Sequence, residues 1–209
     1  AYYEKPLSLN RYDAILGLGL NISNIGTKIS YTDGAQKDFI PTNLRFGGSY
    51  KIIADDYNDF TIAVDINKLL VPTNPIYAAD TAGQPTKTIL QGKDPNRSVP
   101  SGIFGSFNDA PGGFSEEIKE FYYSTGLEYW YDKQFALRAG YFYENPLKGN
   151  RQYFTAGAGL KYNVFNLNFS YLIPTQQRNP LENTLRFSLL FNFGEAEKAP
   201  GYYGGGSRG

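Results

Sequence analysis

Acidic side chains are the residues of this chain whose types and spacing come closest to acid–base chemistry. Glu116 and Glu117 are adjacent, and further carboxylates stand in apolar-rich segments at Asp65, Glu128 and Glu144. Two carboxylates in different environments can serve as a general acid and a general base. The alternative is a network in which these acids pair with Lys and Arg, because charges in a polar interior are normally paired or solvated. We favour the network.

The side chains that usually complete a catalytic site are missing from the composition. The chain has 209 residues and contains no His and no Cys. A Ser–His arrangement for nucleophilic catalysis is therefore impossible, since no imidazole can serve as the base. Thiolate metal sites and disulfides are excluded as well. The composition predicts a protein that is not an enzyme, with no catalytic residue and no cofactor.

Two short motifs could suggest ligand binding. Residues 55–59 contain three Asp and one Asn, but they lack the full ligand series of a calcium loop, and a hairpin turn explains them equally well. The Gly-x-Gly motifs at 17–19 and 157–159 lie inside predicted strands, where Gly makes room for large neighbours. The sequence therefore predicts neither a metal site nor a nucleotide site.

Net charge and hydropathy narrow the class of protein further. The 20 basic and 20 acidic residues cancel, so there is no electrostatic case for a nucleic-acid partner. No apolar run approaches the roughly 18 residues of a transmembrane helix. The 18 Tyr and 15 Phe suit strands and lipid interfaces.

Apolar and polar residues alternate along the segments that must position these groups. Successive side chains of a strand lie on opposite faces, so a period of two indicates two faces in two different solvents. The charges, which are of both signs, concentrate in the companion set. This pattern is typical of a transmembrane β-barrel with lipid outside and a polar lumen. The predicted lumen charge network is Asp13, Arg45, Lys51, Asp65, Glu128, Arg138, Glu144, Lys161 and Arg186.

The alternation predicts an all-β, antiparallel transmembrane barrel in which residues 1–194 form one domain. Most of its strands have about 10 to 13 residues, enough to cross a bilayer at a tilt. A secreted β-sandwich is the alternative, but its strands would be shorter. The nine predicted strands are 11–23, 27–33, 42–54, 60–70, 120–132, 135–144, 151–163, 165–173 and 184–194.

Short and long connections alternate between these strands. Outer-membrane barrels have short periplasmic turns and longer extracellular loops, so we expect the last strand to end in the periplasm and residues 195–209 to form a periplasmic tail. The first strand then runs in the same direction, which predicts an odd number of strands before residue 11 and a chain that is the C-terminal part of a larger barrel. The predicted short turns are 24–26, 55–59, 132–134 and 163–164, and the longer connections are 34–41, 71–113, 145–150 and 174–183.

The long extracellular loop, residues 71–113, has no predicted strand and contains six prolines, so we expect neither regular helix nor sheet there. After it, residues 114–120 are predicted to form one or two helical turns. The loop could be a plug, a disordered tether or a partner-binding surface. We favour the surface, because exposed apolar residues in an ordered loop indicate a protein contact. The candidate partner-binding residues are Leu70, Val71, Pro72, Ile76, Tyr77, Ile103, Phe104 and Phe107.

Six segments carry motifs that are specific when taken together. They are 21–31 (NISNIGTKISY), 41–47 (PTNLRFG), 65–72 (DINKLLVP), 137–142 (LRAGYF), 155–162 (TAGAGLKY) and 183–187 (NTLRF). With these motifs the chain resembles PorV, the outer-membrane barrel family of the type IX secretion system, which is related to the FadL long-chain fatty-acid channels. The resemblance implies a 14-stranded barrel of which this chain holds the C-terminal nine or so strands.

What the resemblance implies is binding, not catalysis. The family is associated with gliding motility, and its members sit in the lipid and lipopolysaccharide of a Gram-negative outer membrane. They bind the translocon barrel SprA (Sov), receive cargo that carries a C-terminal signal domain and pass it to the PorU attachment machinery. A role in lipopolysaccharide deacylation has also been attached to the family, and the missing His argues against it here. The alternatives are a FadL-like channel for hydrophobic small molecules and a purely structural barrel.

Overall fold

The computed structural model of the chain describes residues 1–9, 12–30, 37–175 and 184–193. The predicted tail, 195–209, lies outside these residues. The described residues form antiparallel β-sheet with a few short helical segments, so the all-β antiparallel prediction is confirmed. No helix among them is long and apolar enough to span a membrane.

Nine strands pair in a single sheet, each with its neighbour along the chain, and β5 and β6 form a separate two-stranded hairpin. Within the described residues, β1 and β11 are the two edges of the large sheet. The strands are β1 (Tyr2–Leu9), β2 (Tyr12–Ser23), β3 (Asn43–Ile53), β4 (Asn58–Leu69), β5 (Ile76–Ala79), β6 (Pro85–Gln91), β7 (Phe121–Tyr131), β8 (Phe135–Tyr143), β9 (Gln152–Tyr162), β10 (Phe165–Pro174) and β11 (Leu185–Phe191).

The predicted strand 27–33 is wrong over its described residues, 27–30, because β2 pairs directly with β3 from Ser23 opposite Asn43 onward. Its last three residues lie outside the described part of the chain. Asn24 adopts a left-handed φ of 57°, which takes the chain out of the sheet. Its side-chain amide then donates to the carbonyl of Pro41. Among the described residues between β2 and β3, the one bridge is an isolated antiparallel bridge between Ile29 and Asp38.

Strand β1 was not predicted, although it pairs with β2 over its whole length. Its sequence contains Lys5 and Pro6 in the middle, which breaks the alternation. Pro6 nevertheless keeps its place in the register, opposite Ile15. The nine-stranded total agrees with the prediction only because one strand was missed and another was predicted wrongly.

The two faces of the large sheet differ as the alternation predicts. One face carries half-exposed apolar side chains such as Phe46, Ile62 and Leu137. The other carries Gly and polar residues, and a row of opposed positions crosses five strands on it. That row runs Lys51, Thr61, Glu128, Arg138 and Gly157.

All the long connections leave one end of the sheet, which we call the long-loop end, and all the short ones leave the other, the short-turn end. Positive φ angles at Asp132, Lys133 and Asn163 close two of the short turns. The predicted short turn at 24–26 is wrong, since those residues begin a long connection. The short connections are 10–11, 54–57, 132–134 and 163–164, and the long ones are 24–42, 70–120, 144–151 and 175–184.

The longest connection, residues 70–120, contains more regular structure than its prolines suggest. It holds the β5–β6 hairpin, helix α1 (Val99–Gly105), helix α2 (Phe114–Glu117) and a 3-10 turn (Ile118–Glu120). The prediction of no sheet or helix there is wrong, because Pro85 is the first residue of β6 and Pro100 occupies the first turn of α1, where a missing N–H costs nothing. The predicted helical turns at 114–120 are confirmed.

Candidate functional site

A buried lysine lies where the longest connection meets the large sheet. Lys68, near the end of β4, is 1% exposed. Its Nζ lies 2.6 Å from Glu120 Oε2 and 3.2 Å from Glu117 Oε2. The rings of Phe107 and Phe121 stand over the same ammonium, with centroids at 5.8 and 5.2 Å. Two carboxylates and two aromatic faces therefore compensate this buried charge.

Glu117 and Glu120 also bind other parts of the connection 70–120. Glu117 is buried, and its Oε1 accepts the backbone N–H groups of Asp109 at 2.5 Å and Ala110 at 2.8 Å. Glu120 Oε1 accepts the hydroxyl of Thr73 at 2.7 Å. The start, the middle and the end of residues 70–120 thus converge on Lys68.

A second lysine ties the neighbouring connection, 144–151, to the same cluster. Lys148 Nζ lies 2.5 Å from Glu116 Oε1 and 3.0 Å from Glu120 Oε1. We call these five residues, Lys68, Glu116, Glu117, Glu120 and Lys148, the anchor cluster. It holds two long connections of one end of the sheet in a fixed relationship.

Hydrogen bonding within the anchor cluster favours the ionised forms of Glu116 and Glu120. The pKa of Glu116 is lowered by the bond from Lys148 and by the backbone N–H of Gly112. Burial raises the pKa of Glu120, but hydrogen bonds, first from Lys68, lower it more, so the net shift is downward. Burial likewise lowers the pKa of Lys148, and its bonds to the two glutamates reverse this and raise it. At neutral pH these shifts keep Glu116, Glu120 and Lys148 charged.

A further ion pair adjoins the anchor cluster. Asp109 is 2% exposed and its Oδ2 lies 2.5 Å from Arg97 Nη2. Burial raises the pKa of Asp109, and the charge of Arg97 acts against this rise. The pair links the chain before α1 to the chain after it.

Three carboxylates here lie close enough together to hold a metal ion. One oxygen each of Asp109, Glu117 and Glu120 falls within 4.8 Å of the others. The ammonium of Lys68 already lies between Glu117 and Glu120 and supplies the positive charge that a metal would bring. The donor set therefore fits an ion cluster better than a metal centre. The partners of Glu116 and Glu117 are Lys148 and Lys68, which are not among the predicted lumen charges.

The predicted lumen charges lie on the polar face, but the structure places them in separate local contacts. Glu128 Oε2 accepts from Arg138 Nε at 2.6 Å. Lys51 pairs at 2.8 Å with Asp59, which lies in β4 and not in the predicted turn 55–59. Arg45 donates from Nε to Asn67. The remaining predicted members are Asp13, Asp65, Glu144, Lys161 and Arg186, of which Glu144 pairs with Arg151 at 2.7 Å.

The first carboxylate of the acidic segment 55–59 has a local structural role. Asp55 Oδ1 accepts the backbone N–H groups of Tyr57 and Asn58 at 2.8 and 2.7 Å. These two bonds lower the pKa of Asp55, the one from Tyr57 most. The carboxylate thereby closes the 54–57 turn, which is the hairpin interpretation.

The predicted partner-binding residues differ widely in exposure. Leu70 is buried, so it cannot offer area to a partner, and Val71, Pro72 and Ile103 are half-buried. Phe104 on α1 is 80% exposed. The other exposed members are Ile76, Tyr77 and Phe107.

Sequence reasoning missed an equally exposed aromatic residue. Phe114 opens α2 and is 80% exposed, while the next residues of its helix, Glu116 and Glu117, belong to the anchor cluster. Its position after Gly112 and Gly113, at the start of a predicted helical turn, was the available signal. Exposed phenylalanines on two anchored helices form a candidate contact surface, which we call the Phe104/Phe114 surface.

Helix α1 packs against Phe39, which lies in the connection between β2 and β3. The ring of Phe39 packs against the Cα of Gly102, where no side chain could fit without moving the ring. Lys28 Nζ lies 4.3 Å from the centroid of the same ring. The connections that support one another at the long-loop end are therefore 24–42, 70–120 and 144–151.

Comparison with known protein families matches residues 1–76 to PorV, described as "Type IX secretion system protein PorV". No curated protein matches the chain. The matched residues include β1 to β4, Lys68 and the first residue of β5. The resemblance to PorV is confirmed over this part of the chain.

Proposed function

We propose, from the premise that this chain is a PorV-type component of the type IX secretion system, that it works as a non-enzymatic adaptor. In this role it binds the translocon and receives or shuttles secreted cargo that carries a C-terminal signal domain. The observation that carries the proposal is the Phe104/Phe114 surface, because both phenylalanines are 80% exposed on anchored helices. The Arg97–Asp109 pair flanks α1, and Lys68 pairs with Glu117 of α2.

The energetics favour a protein contact at this surface. Burial of one Phe side chain contributes about 1.5–3 kcal/mol, so leaving two in water is a cost that a partner removes. Lys68 and Glu117 fix the loop before any partner arrives, which reduces the ordering entropy lost on binding. Exposed aromatic anchors on a rigid support are typical of the residues that dominate interface energies.

The rest of the molecule suits a membrane location. The apolar face of the large sheet leaves Phe46, Leu137 and Phe187 exposed, and lipid would cover it, whereas charges such as Arg138 lie on the other face. We propose that the nine strands belong to a 14-stranded FadL-like barrel in the outer membrane of a Gram-negative bacterium. Lipid and lipopolysaccharide would surround it.

The alternation of connections supports an orientation for this barrel. Short turns of outer-membrane barrels are periplasmic, so 54–57, 132–134 and 163–164 would face the periplasm. Residues 70–120, which include the predicted loop 71–113, would be extracellular, and the chain after β11 would be a periplasmic tail. The Phe104/Phe114 surface then faces outward, where cargo emerges.

Within the secretion system we propose three protein partners. The translocon barrel SprA (Sov) and the C-terminal domain of the cargo meet the long-loop end, and the cargo then passes to the PorU machinery. The non-enzymatic part of the proposal is supported by the acids of the long-loop end, since Glu116, Glu117 and Glu120 each have a lysine partner.

Co-purification of the translocon and cargo tests the proposal. The double variant Phe104→Ser/Phe114→Ser should remain in the outer membrane with unchanged heat-modifiable mobility and should retain at most a tenth of the translocon or of the cargo. Tyr57→Ser is the matched control, because Tyr57 is 57% exposed at the short-turn end. Undiminished recovery of both partners with the folded double variant would overturn the proposal.

A further inference from the structure

A groove of about 420 Å³ lies on the apolar face of the large sheet and crosses β3, β4, β7 and β8. Eight of the eleven residues that line it have their side chains on this face. The other three, Thr61, Glu128 and Arg138, occupy the alternate positions that form the row on the polar face. The groove therefore opens on the side of the sheet opposite the charges.

The wall of the groove toward the short-turn end is a row of large side chains. Ile52, Phe60, Tyr129 and Leu137 lie opposite one another in this row, one on each strand. The rings of Phe60 and Tyr129 stack with their centroids 4.9 Å apart. The Tyr129 hydroxyl donates to Asn58 Oδ1 at 2.6 Å, which holds its ring toward the short turns. A ring contact and a hydrogen bond therefore fix this wall.

A small side chain in the next row leaves the space of the groove. That row consists of Tyr50, Ile62, Leu127 and Ala139, and Ala139 contributes only a methyl group beside the larger Leu127. Successive rows on one face are about 7 Å apart, and four strands span about 14 Å. Two rows across four strands thus give the groove the dimensions of a stretch of hydrocarbon chain.

Two tyrosines mark the rim of the groove at the short-turn end. The rings of Tyr57 and Tyr131 are exposed and stack with their centroids 6.3 Å apart. The backbone N–H of Asp132 donates to the carbonyl of Tyr57 at 2.7 Å, so the turns 54–57 and 132–134 lie side by side. Tyrosines at the ends of membrane strands lie at the level of the lipid head groups. The groove begins at Tyr129, two residues to the hydrocarbon side of Tyr131.

The rim carries exposed charges of both signs. Lys133 follows Tyr131 in the 132–134 turn, and Asp55, Asp56 and Asp132 lie on the same two turns. One cation beside three carboxylates disfavours a head group that carries only negative charge, because like charges repel. A phosphate that is joined to an ammonium group offers a partner to each sign.

We propose, on the basis of the membrane location proposed above, that this groove binds one acyl chain of a phospholipid with an ethanolamine head group. The phosphate lies at Lys133, and the ammonium group lies at Asp56 and Asp132. A primary ammonium fits these carboxylates because it can donate charge-assisted hydrogen bonds to them. The bound lipid belongs to the leaflet on the short-turn side, and the groove retains it longer than the lipids around it.

Native mass spectrometry of the full chain, released from detergent micelles, measures this retention. The two probes are phosphatidylethanolamine and phosphatidylglycerol with the same acyl chains, added at equal concentration. We expect one phosphatidylethanolamine per chain to survive removal of the micelle. Retention of phosphatidylglycerol should be about fivefold lower, which corresponds to about 1 kcal/mol for one charge near a membrane surface.

Two variants and one control locate the lipid. Ala139→Phe places a ring in the groove and should lower retention of phosphatidylethanolamine at least about tenfold. Ala158→Phe adds the same ring to the same face on β9, outside the groove, and should leave retention unchanged. Lys133→Gln changes an exposed turn residue and should lower retention about fivefold. Unchanged heat-modifiable mobility shows that each variant is folded.

Three results would overturn the site. They are undiminished retention by folded Ala139→Phe, an equal loss in Ala158→Phe, and equal retention of the two lipids by the unmodified chain. A folded chain that stays in solution without detergent would instead contradict the membrane location on which the site rests. Neither translocon nor cargo is present in this measurement, so the groove and the adaptor role fail separately.

Discussion

Lys68 Nζ and Glu120 Oε2 lie 2.6 Å apart, and between these two residues the chain makes its longest excursion from the sheet. Lys68 is the second residue from the end of β4, and Glu120 directly precedes β7. The side chain of Lys68 has no solvent exposure. The connection 70–120 therefore begins and ends at one buried ion pair. This pair joins its two ends and holds α1 and α2 at the long-loop end of the sheet.

Removal of the buried ammonium should release this connection. Lys68→Met leaves Glu117 and Glu120 without their shared cation, and breaking a buried pair from one side costs about 3–5 kcal/mol. We expect much faster amide exchange and new proteolytic cleavage within residues 99–120. The control is Lys87→Met, which removes an exposed lysine of the β5–β6 hairpin. A Lys68→Met protein with native exchange rates across α1 and α2 would show that the cluster does not hold the loop.

Acid should loosen the same connection. The folded pKa values of Glu116 and Glu120 lie below the ordinary value of 4.5, so their stabilisation is present above the unfolded pKa and is lost as pH falls through the folded pKa. Asp109 acts in the opposite sense, because burial raises its pKa and protonation relieves that cost.

We therefore expect the protection of residues 99–120 against amide exchange to be constant near neutral pH and to fall below about pH 4.5. The double variant Glu116→Gln/Glu120→Gln should lower protection at neutral pH and remove most of the pH dependence. If protection instead rises on acidification in the unmodified chain, Asp109 dominates and the anchoring by the two glutamates is contradicted.

The period-two alternation predicted eight of the nine large-sheet strands to within a few residues, since a two-sided environment leaves its mark on every second position. The alternation gave a wrong prediction where the backbone conformation of a single residue determines whether the chain stays in the sheet. Asn24 turns out of the sheet with a positive φ, so the alternating residues after it never pair. Pro6 interrupts the pattern of β1, yet the strand stays in register with β2 through Pro6 and Ile15.

The candidate site was harder to predict because it depends on contacts between distant segments. Lys68 occupies a position of the apolar set of β4, which alternation alone would expose to lipid. Only the folding of residues 107–121 over it provides the compensating acids and rings. The adjacency of Glu116 and Glu117 was visible, but their separate partners, Lys148 and Lys68, were not.

A side chain at residue 102 should separate α1 from the connection beneath it. Gly102→Leu places carbon atoms where the ring of Phe39 now lies, so either the ring or the helix must move. We expect a lower thermal midpoint and faster amide exchange at both 37–42 and 99–105. The double variant Gly102→Leu/Phe39→Ala restores the space and should recover part of the loss. Equal destabilisation by the single and the double variant would mean that the Phe39 contact is not the cause.

The Glu128–Arg138 pair should contribute far less than the pair around Lys68, although its 2.6 Å separation is the same as that of Lys68 and Glu120. Both side chains are about one-third exposed, and ion pairs in such surroundings are worth about 0–1 kcal/mol. In Glu128→Gln, Arg138 keeps its hydrogen bond to Asn168 and its place over Trp130. We expect a thermal unfolding midpoint within a few degrees of the unmodified chain and an unchanged Trp130 emission spectrum, with Lys68→Met measured in parallel. A loss as large as that of Lys68→Met would show that burial does not separate the two pairs.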